Sequence, residues 1–445
     1  MKDKISQVRD YLLDRIESGE YPAGSPIPSA RKLGESIDAS FAMILQAVNA
    51  LAGAGILHCV SRQGSVVRPD WQERLMPNHF VLFNPSLPWI PGFRKLFEAR
   101  LPDLRLCTEF QRGVFEIRTT IPLQMRRSEY LDLTPYLREL FPDRSLFFES
   151  PFRSFLEPDG SIRGVPFIFS PRVMFCNPRL LQKCGVEMPS EDWTFDDFLQ
   201  ILLRLNQKIP KESLLNYSTG AFFWMNFVFR SGGMLIDPTS ENPVRIDSPE
   251  TVRGIVAVRN LRRMLSMEKA DSWDWKQEFC GGRMPFVLAE RELLCTLRAE
   301  GMSDWNVLPL PRIPGGASRM AQATDLICVR KECVDREQIL EFLRFMLSEE
   351  VQDYIAEEKY GIPIRKSSAQ KSIDLSDPRD ILFLKEMTSM SAEYNLDSPE
   401  LMELIQDGIG RIINDDSLPL KESLEDLAHA VRLFLEIKNA TAKTA

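Results

Sequence analysis

PAGSPIPSARKLGESIDASFAMILQAVNALAGAGILHCVSRQGSVV, residues 22–67, decides the architecture of the front of the chain. Tyr21-Pro22-Ala23-Gly24 marks a turn. Pro28-Ser29 opens a helix with Ser29 at its N-cap. Gly34 and Asp38-Ala39 end that helix, and Ser40 caps the next, which runs from Phe41 towards Ala54. Ile44, Ala47, Val48 and Leu51 give this helix its apolar face, and Gly55 closes it. Ile56–Val60 and Ser65–Arg68 read as two strands joined through Arg62-Gln63-Gly64. Upstream, Ile5, Val8, Leu12 and Ile16 recur at steps of three and four, so a further helix precedes the stretch and stops at Gly19.

Three helices and a two-stranded ribbon in this order make a winged helix-turn-helix. The pattern of Pro28, Ser29, Arg31, Leu33, Ser40, Ala47, Leu51, Gly55 and Gly64 resembles the DNA-binding head of the GntR family of bacterial transcription regulators. The resemblance implies that Ser29, Arg31 and Ser40 touch phosphates and that Arg62 with Gln63 enters a minor groove. Lys32, Gln46 and Gly64 complete the DNA-binding set expected here. One departure matters: Phe41, Met43 and Leu45 stand where such heads usually offer Arg, Thr and Arg. Gln46 is the main polar group left on the front of the helix. The sequence therefore leaves two uses open for the head, reading of double-stranded DNA or assembly with protein.

The totals constrain the rest. A chain of 445 residues, 44% hydrophobic and 27% charged, suits a globular protein of several domains. No apolar run approaches the ~20 residues needed to span a bilayer. MKDKISQVRDYLLDRIESGE is a charged amphipathic helix rather than a signal peptide, so a cytoplasmic protein without membrane partners is expected. Eight cysteines without a C-x-x-C pair read as buried thiols, and three scattered histidines argue against a metal site or a histidine-based catalytic centre. No Ser-His-Asp set or phosphate loop is present, so neither an enzyme nor a cofactor is expected. Residues 1–70 carry eight basic and eight acidic side chains, leaving the net charge of −8 to the remainder. A neutral head lacks the basic footprint common in DNA binders, so placed contacts and dimerisation would have to supply affinity.

Within the polar, proline-bounded stretch Pro69–Asn78, residues 71–78 are read as a linker between a head of residues 1–70 and a body of residues 79–440. Trp71 is expected to pack across this junction or to anchor a partner. The body opens with strand-like His79–Asn84, a helix Phe93–Arg100 and strand-like Leu104–Glu109, the rhythm of an α/β domain with a largely parallel sheet. Asp159–Phe167, Met174–Asn177, Trp193–Phe198, Gly232–Leu235, Gly281–Met284, Leu308–Pro311 and Phe342–Ser348 follow. In this order they resemble the extracellular solute-binding proteins of sugar ABC transporters.

That resemblance implies a class II periplasmic-binding-protein-like α/β body of two lobes closing on a sugar. Trp89, Phe167 and Trp224 are the aromatics available for stacking. Ser170, Gly232, Gly233, Thr324 and Asp325 complete the expected ligand contacts, and Glu292 falls where relatives often carry a stacking tryptophan. A carboxyl there suits a hydroxyl-rich or amino-bearing ligand. Leu420, Leu424, Leu427, Val431 and Phe434 step along one helix that closes the body or joins an oligomer. The whole reads as a ligand-responsive, homodimeric transcription regulator that senses a carbohydrate. A solute-binding protein whose head serves only assembly is the alternative.

Overall fold

The computed structural model describes residues 4–60, 64–75, 79–82, 87–107, 113–237, 239–265, 274–392, 396 and 398–444. The head comprises α1 (Lys4–Glu17), α2 (Ala30–Ser36), α3 (Phe41–Gly53), β1 (Leu57–Val60) and β2 (Gly64–Val67). Ser29 and Ser40 cap α2 and α3, their side chains accepting the backbone N–H of Lys32 and Met43. The caps satisfy one otherwise unpaired donor on each helix and fix where it starts. The axes of α2 and α3 differ by 113°, within the range of helix-turn-helix pairs. Val8, Leu12 and Ile16 of α1 meet Leu33, Ile44, Ala47 and Leu51 in one core. β1 and β2 pair antiparallel, with Leu57 opposite Val67 and Val60 opposite Gly64, where φ is +85° and glycine is favoured.

The segment read as a linker contains a short helix, α4 (Trp71–Leu75). Trp71 is buried in the head's core, where its ring removes more apolar area from water than it could in an extended linker.

The body contributes β3 (His79–Val81), α5 (Ile90–Arg100), β4 (Arg105–Cys107), β5 (Phe115–Arg118), β6 (Val165–Pro171), β7 (Val173–Cys176), β8 (Phe286–Ala289), β9 (Asn306–Leu308), β10 (Met320–Val329), β11 (Ile362–Pro363) and β12 (Met390–Ser391). Two of the strands expected from sequence are present in part. Phe83-Asn84 and Thr108-Glu109, the ends of those segments, lie outside the described residues. The first sheet runs β11-β6-β10-β5-β3-β4, with β12 beside β10, and the second runs β8-β7-β9.

The largely parallel sheet expected from sequence is not what forms. Within the main path of the first sheet only β4, β3 and β5 run parallel, whereas β10 is antiparallel to β5 and β6, and β6 to β11. The second sheet is antiparallel throughout. The cause is the crossing strands. β6 lies in the first sheet and its continuation β7 in the second, with Arg172 between them. The ten buried residues of β10 make the reverse crossing: Met320 and Ala321 sit in the core of the second lobe, Ile327 and Val329 in that of the first.

Each sheet has its own helices and core. Phe80, Phe93, Phe97, Phe115, Phe342 and Phe345 pack in the first lobe. The second is built around helices Phe195–Leu205, Ala221–Arg230 and Pro249–Met264, and Leu424, Leu427, Ala428 and Val431 of the last helix, Leu420–Thr444, are buried there. That helix closes the body.

Candidate DNA-reading surface and effector cavity

On the head, Ser29, Arg31, Lys32, Ser40 and Gln46 are exposed, as is Gly64 at the start of β2. Ser29 and Ser40 mark two helix N-termini whose first-turn N–H groups suit phosphate oxygens. Arg62 and Gln63, the expected minor-groove pair, lie outside the described residues. Phe41 is 64% exposed and Leu45 44%. Met43 is half-buried beneath them.

The head meets the body through a hub of charge. Arg105, on edge strand β4, donates from Nε to Glu17 Oε1 at 3.1 Å and from Nη2 to Glu17 Oε2 at 3.1 Å and Asp14 Oδ1 at 2.6 Å. Its Nη1 lies 3.3 Å from Asp10 Oδ1. These three acids sit on α1 at spacings of four and three, which places them on one helix face. His79, buried on β3, shares a hydrogen bond of 3.2 Å with Glu17 Oε1. Burial alone would raise the Glu17 carboxyl, but the bonds from His79 and Arg105 outweigh it and hold it below its ordinary range. Glu17, His79 and Cys107 also bring potential metal-ligand atoms within 4.8 Å of one another, but the Arg105 guanidinium takes both carboxylate oxygens.

A cavity of about 230 Å³ lies between the lobes where β6–β7 and β10 cross. Thr119, Thr120, Arg172, Phe222, Met225, Trp275, Lys276, Glu290, Glu292, Gln322, Thr324, Asp325 and Tyr360 are among its walls. β10 shifts register between Asp325 and Leu326, an irregularity of the kind that re-aims a side chain out of the ladder. Tyr360 follows Lys359, a non-glycine residue with φ of 57°, and its hydroxyl donates to Asp325 Oδ2 at 2.7 Å. Gln322 Nε2 donates to Thr324 Oγ1 at 2.7 Å, and Arg172 Nε donates to Glu290 Oε1 at 2.8 Å. Glu292 Oε2 is buried with no hydrogen-bond partner among the described residues.

Burial pushes Asp325 up to about 7, against the bond from Tyr360, and Glu290 adds to the rise. Burial, then Glu290 and Asp325, push Glu292 well above the ordinary carboxyl range. Asp325 can thus donate as well as accept a hydrogen bond near neutrality, and Glu292 is pushed in the same direction. Phe222, 48% exposed, supplies an apolar face to the cavity wall.

Of the ligand contacts expected from sequence, Glu292, Thr324 and Asp325 line this cavity. Trp89 does not line it but stands behind it, its ring centroid 4.8 Å from that of Tyr360. Phe167 is in the first-lobe core and Trp224 in that of the second. The Ser170 hydroxyl donates to the Pro171 carbonyl and accepts the Arg291 N–H. Gly232 turns the chain at φ of +83°, and a Cβ on Gly233 would fall 2.7 Å from Thr251 Cα, so its bare backbone serves close packing. Phe222, Trp275, Arg172 and Tyr360 carried no sequence motif. Phe222 was findable: Trp224 is on the buried side of its helix, whereas Phe222 and Met225, three residues apart, share the cavity side.

A helix-turn-helix head and a two-lobed fold with a cavity at its hinge define a DNA-binding module joined to a solute-binding body. Residues 4–67 match the family model for bacterial regulatory proteins, gntR family, and residues 121–380 match that for bacterial extracellular solute-binding proteins. The chain belongs to the bacterial extracellular solute-binding protein family and carries a GntR-family head. Neither family is catalytic in kind.

Similar solved structures include an ABC substrate-binding protein from Listeria monocytogenes in complex with cycloalternan, 17% identical with a TM-score of 0.65, over 80% of this chain and 98% of that one. A solute-binding protein from Thermotoga lettingae bound with α-D-tagatose is 13% identical with a TM-score of 0.66, over 79% and 97%. UgpB from Mycobacterium tuberculosis in complex with glycerophosphocholine is 15% identical with a TM-score of 0.63, over 81% and 99%. At these identities the likeness is one of fold. No curated relative matches the sequence. Among the described residues no single helix is long and apolar enough to cross a membrane.

Proposed function

We propose that this chain is a cytoplasmic, homodimeric transcription regulator that binds a double-stranded operator through residues 1–70 and senses a small carbohydrate in the cavity of residues 79–440, the two joined by residues 71–78. The observation that carries the reading is the interlobe cavity, with hydroxyl-matching polar groups beside Phe222, in one chain with a GntR-family head. Its size, below the ~300–1,000 Å³ of pockets for drug-sized ligands, favours one or two sugar rings over a long oligosaccharide. Two of the three structural relatives, those holding cycloalternan and α-D-tagatose, support the sugar class, whereas the third holds glycerophosphocholine. Asp325, Thr324 and Glu292 would bind hydroxyls, and Phe222 would stack on the ring.

The route from sugar to operator follows from the hub. Arg105 ties α1 to the first lobe, so the head moves with that lobe. Closure on ligand swings the second lobe relative to this pair. Where two protomers meet through second-lobe surfaces, closure changes the separation of the two heads, and half-site spacing on DNA follows the helical turn. Ligand and operator then bias one closure equilibrium, with coupling on the order of 1–3 kcal/mol.

Two assays test the reading. Thermal shift against a sugar panel should identify a ligand, because a compound at 100 times its Kd adds ~2.7 kcal/mol. Arg31→Ala and Lys32→Ala should each weaken binding to a selected duplex and reduce the salt slope by about 1. If both variants bind as the wild type does, the phosphate assignment is wrong.

A further inference from the structure

Helix α3, FAMILQAVNALAG, carries no charged side chain along its whole length. Its buried side is Ile44, Ala47, Val48 and Leu51. Its exposed side presents Phe41 and Leu45, one turn apart, with Gln46 and Asn49 beside them. Exposed phenylalanine and leucine contribute nothing to the head's core. They sit at the N-terminal half of the helix, the part that reaches base edges in helix-turn-helix complexes.

The chemistry of the major groove limits what this surface can read. Guanine is recognised by the paired donors of Arg or Lys on O6 and N7, and α3 has neither. Adenine is recognised by an amide across N6 and N7, which Gln46 and Asn49 offer. Thymine alone presents a methyl group, and apolar side chains are its natural contact. The amides and the apolar pair thus match the two bases of one pair type. Phosphate affinity comes from outside the helix: Arg31 and Lys32 are exposed on the first turn of α2. Positive charge flanking an uncharged helix suits a polyanion whose base edges are apolar where the helix lies.

We propose that α3 reads A·T pairs, with Phe41 and Leu45 packed on thymine methyl groups and Gln46 on adenine. The proposal rests on the DNA-binding reading of the head and names the bases it selects.

The test begins with selection of bound duplexes from a random pool by the full chain. The expected half-sites carry A·T pairs at their centre. Thymines there are then replaced by deoxyuridine, which removes the methyl and nothing else. Each replaced contact should weaken binding by about 4-fold, the effect of exposing one buried carbon group. The Phe41→Ala/Leu45→Ala variant should bind thymine and deoxyuridine duplexes equally, and a circular dichroism melt matching the wild type would show that its head is folded. Selected sites with G·C at the centre would overturn the proposal, as would indifference of the wild type to deoxyuridine. If Arg31→Ala still weakens binding in either case, the DNA-binding reading survives without it. If no duplex is enriched, both are overturned.

Discussion

Replacing Arg105 by alanine removes the cation that three acids of α1 share. The loss can be sized from the contacts. Asp14 is 74% exposed, so its share is that of a surface pair, ~0–1 kcal/mol. Glu17 is different: its side chain is 8% exposed, and after the change only His79 remains to it. Removing one partner of a buried ion pair typically costs ~3–5 kcal/mol. The retained His79 bond puts the expected loss at the low end, ~3 kcal/mol, all of it at the seam between head and body.

That location makes the effect separable from general destabilisation. Docking adds to the free energy of opening the head, so its loss should raise amide exchange throughout α1 by about 10²-fold, at ~1.4 kcal/mol for each factor of ten. Helix Pro249–Met264, in the second-lobe core, should exchange as before. Hydrogen exchange read by mass spectrometry on peptides from both regions measures the two together. Arg105→Lys should recover part of the effect, because a single ammonium cannot span Asp10, Asp14 and Glu17. Unchanged exchange in α1, or equal acceleration in the body, would show that Arg105 does not hold the head to the body.

Stability of the ligand-free chain should fall as pH rises from about 4 to about 7. Asp325 titrates near 7 when folded against an ordinary 3.8, so the folded state retains a proton that the unfolded state has lost across that window. The difference has a ceiling of ~4 kcal/mol at 1.36 kcal/mol per unit, and in urea titrations Asp325→Asn should remove this share of the slope and leave that of Glu292, which is raised in the same direction. Phe222→Ala should leave ligand-free stability within ~1 kcal/mol yet abolish most of the thermal shift given by a bound sugar; a full shift would remove the stacking role. Gly233→Ala should destabilise the second lobe by ~1–3 kcal/mol, because its Cβ would press on the backbone of Thr251, and chemical denaturation measures this directly.

Much of the head could be read from local order. Caps, glycines and the three-and-four spacing of apolar residues act within a few positions of one another, so Ser29, Ser40 and Gly55 marked its helix ends in the sequence itself. The segment around Trp71 was harder, since its polar neighbours say nothing of the core that receives the ring. In the body, Glu292 and Asp325 were reached by spacing within family motifs. Arg172 and its partner Glu290 are 118 positions apart, and Arg105 and Glu17 are 88 apart. Pairs of that kind are created by strand crossing and domain docking, and no local pattern announces them. The parallel-sheet expectation failed for the same reason: β10 joins the first sheet only after the chain has passed through the second lobe.

In the proposed regulator, ligand in the interlobe cavity alters the grip of the head on DNA. The most direct test is an anisotropy titration of the full chain on a selected duplex, with and without the sugar that gives the largest thermal shift. The Kd should change by at least about 5-fold, a coupling of ~1 kcal/mol. The same Kd in both titrations, with the sugar demonstrably bound, would contradict it.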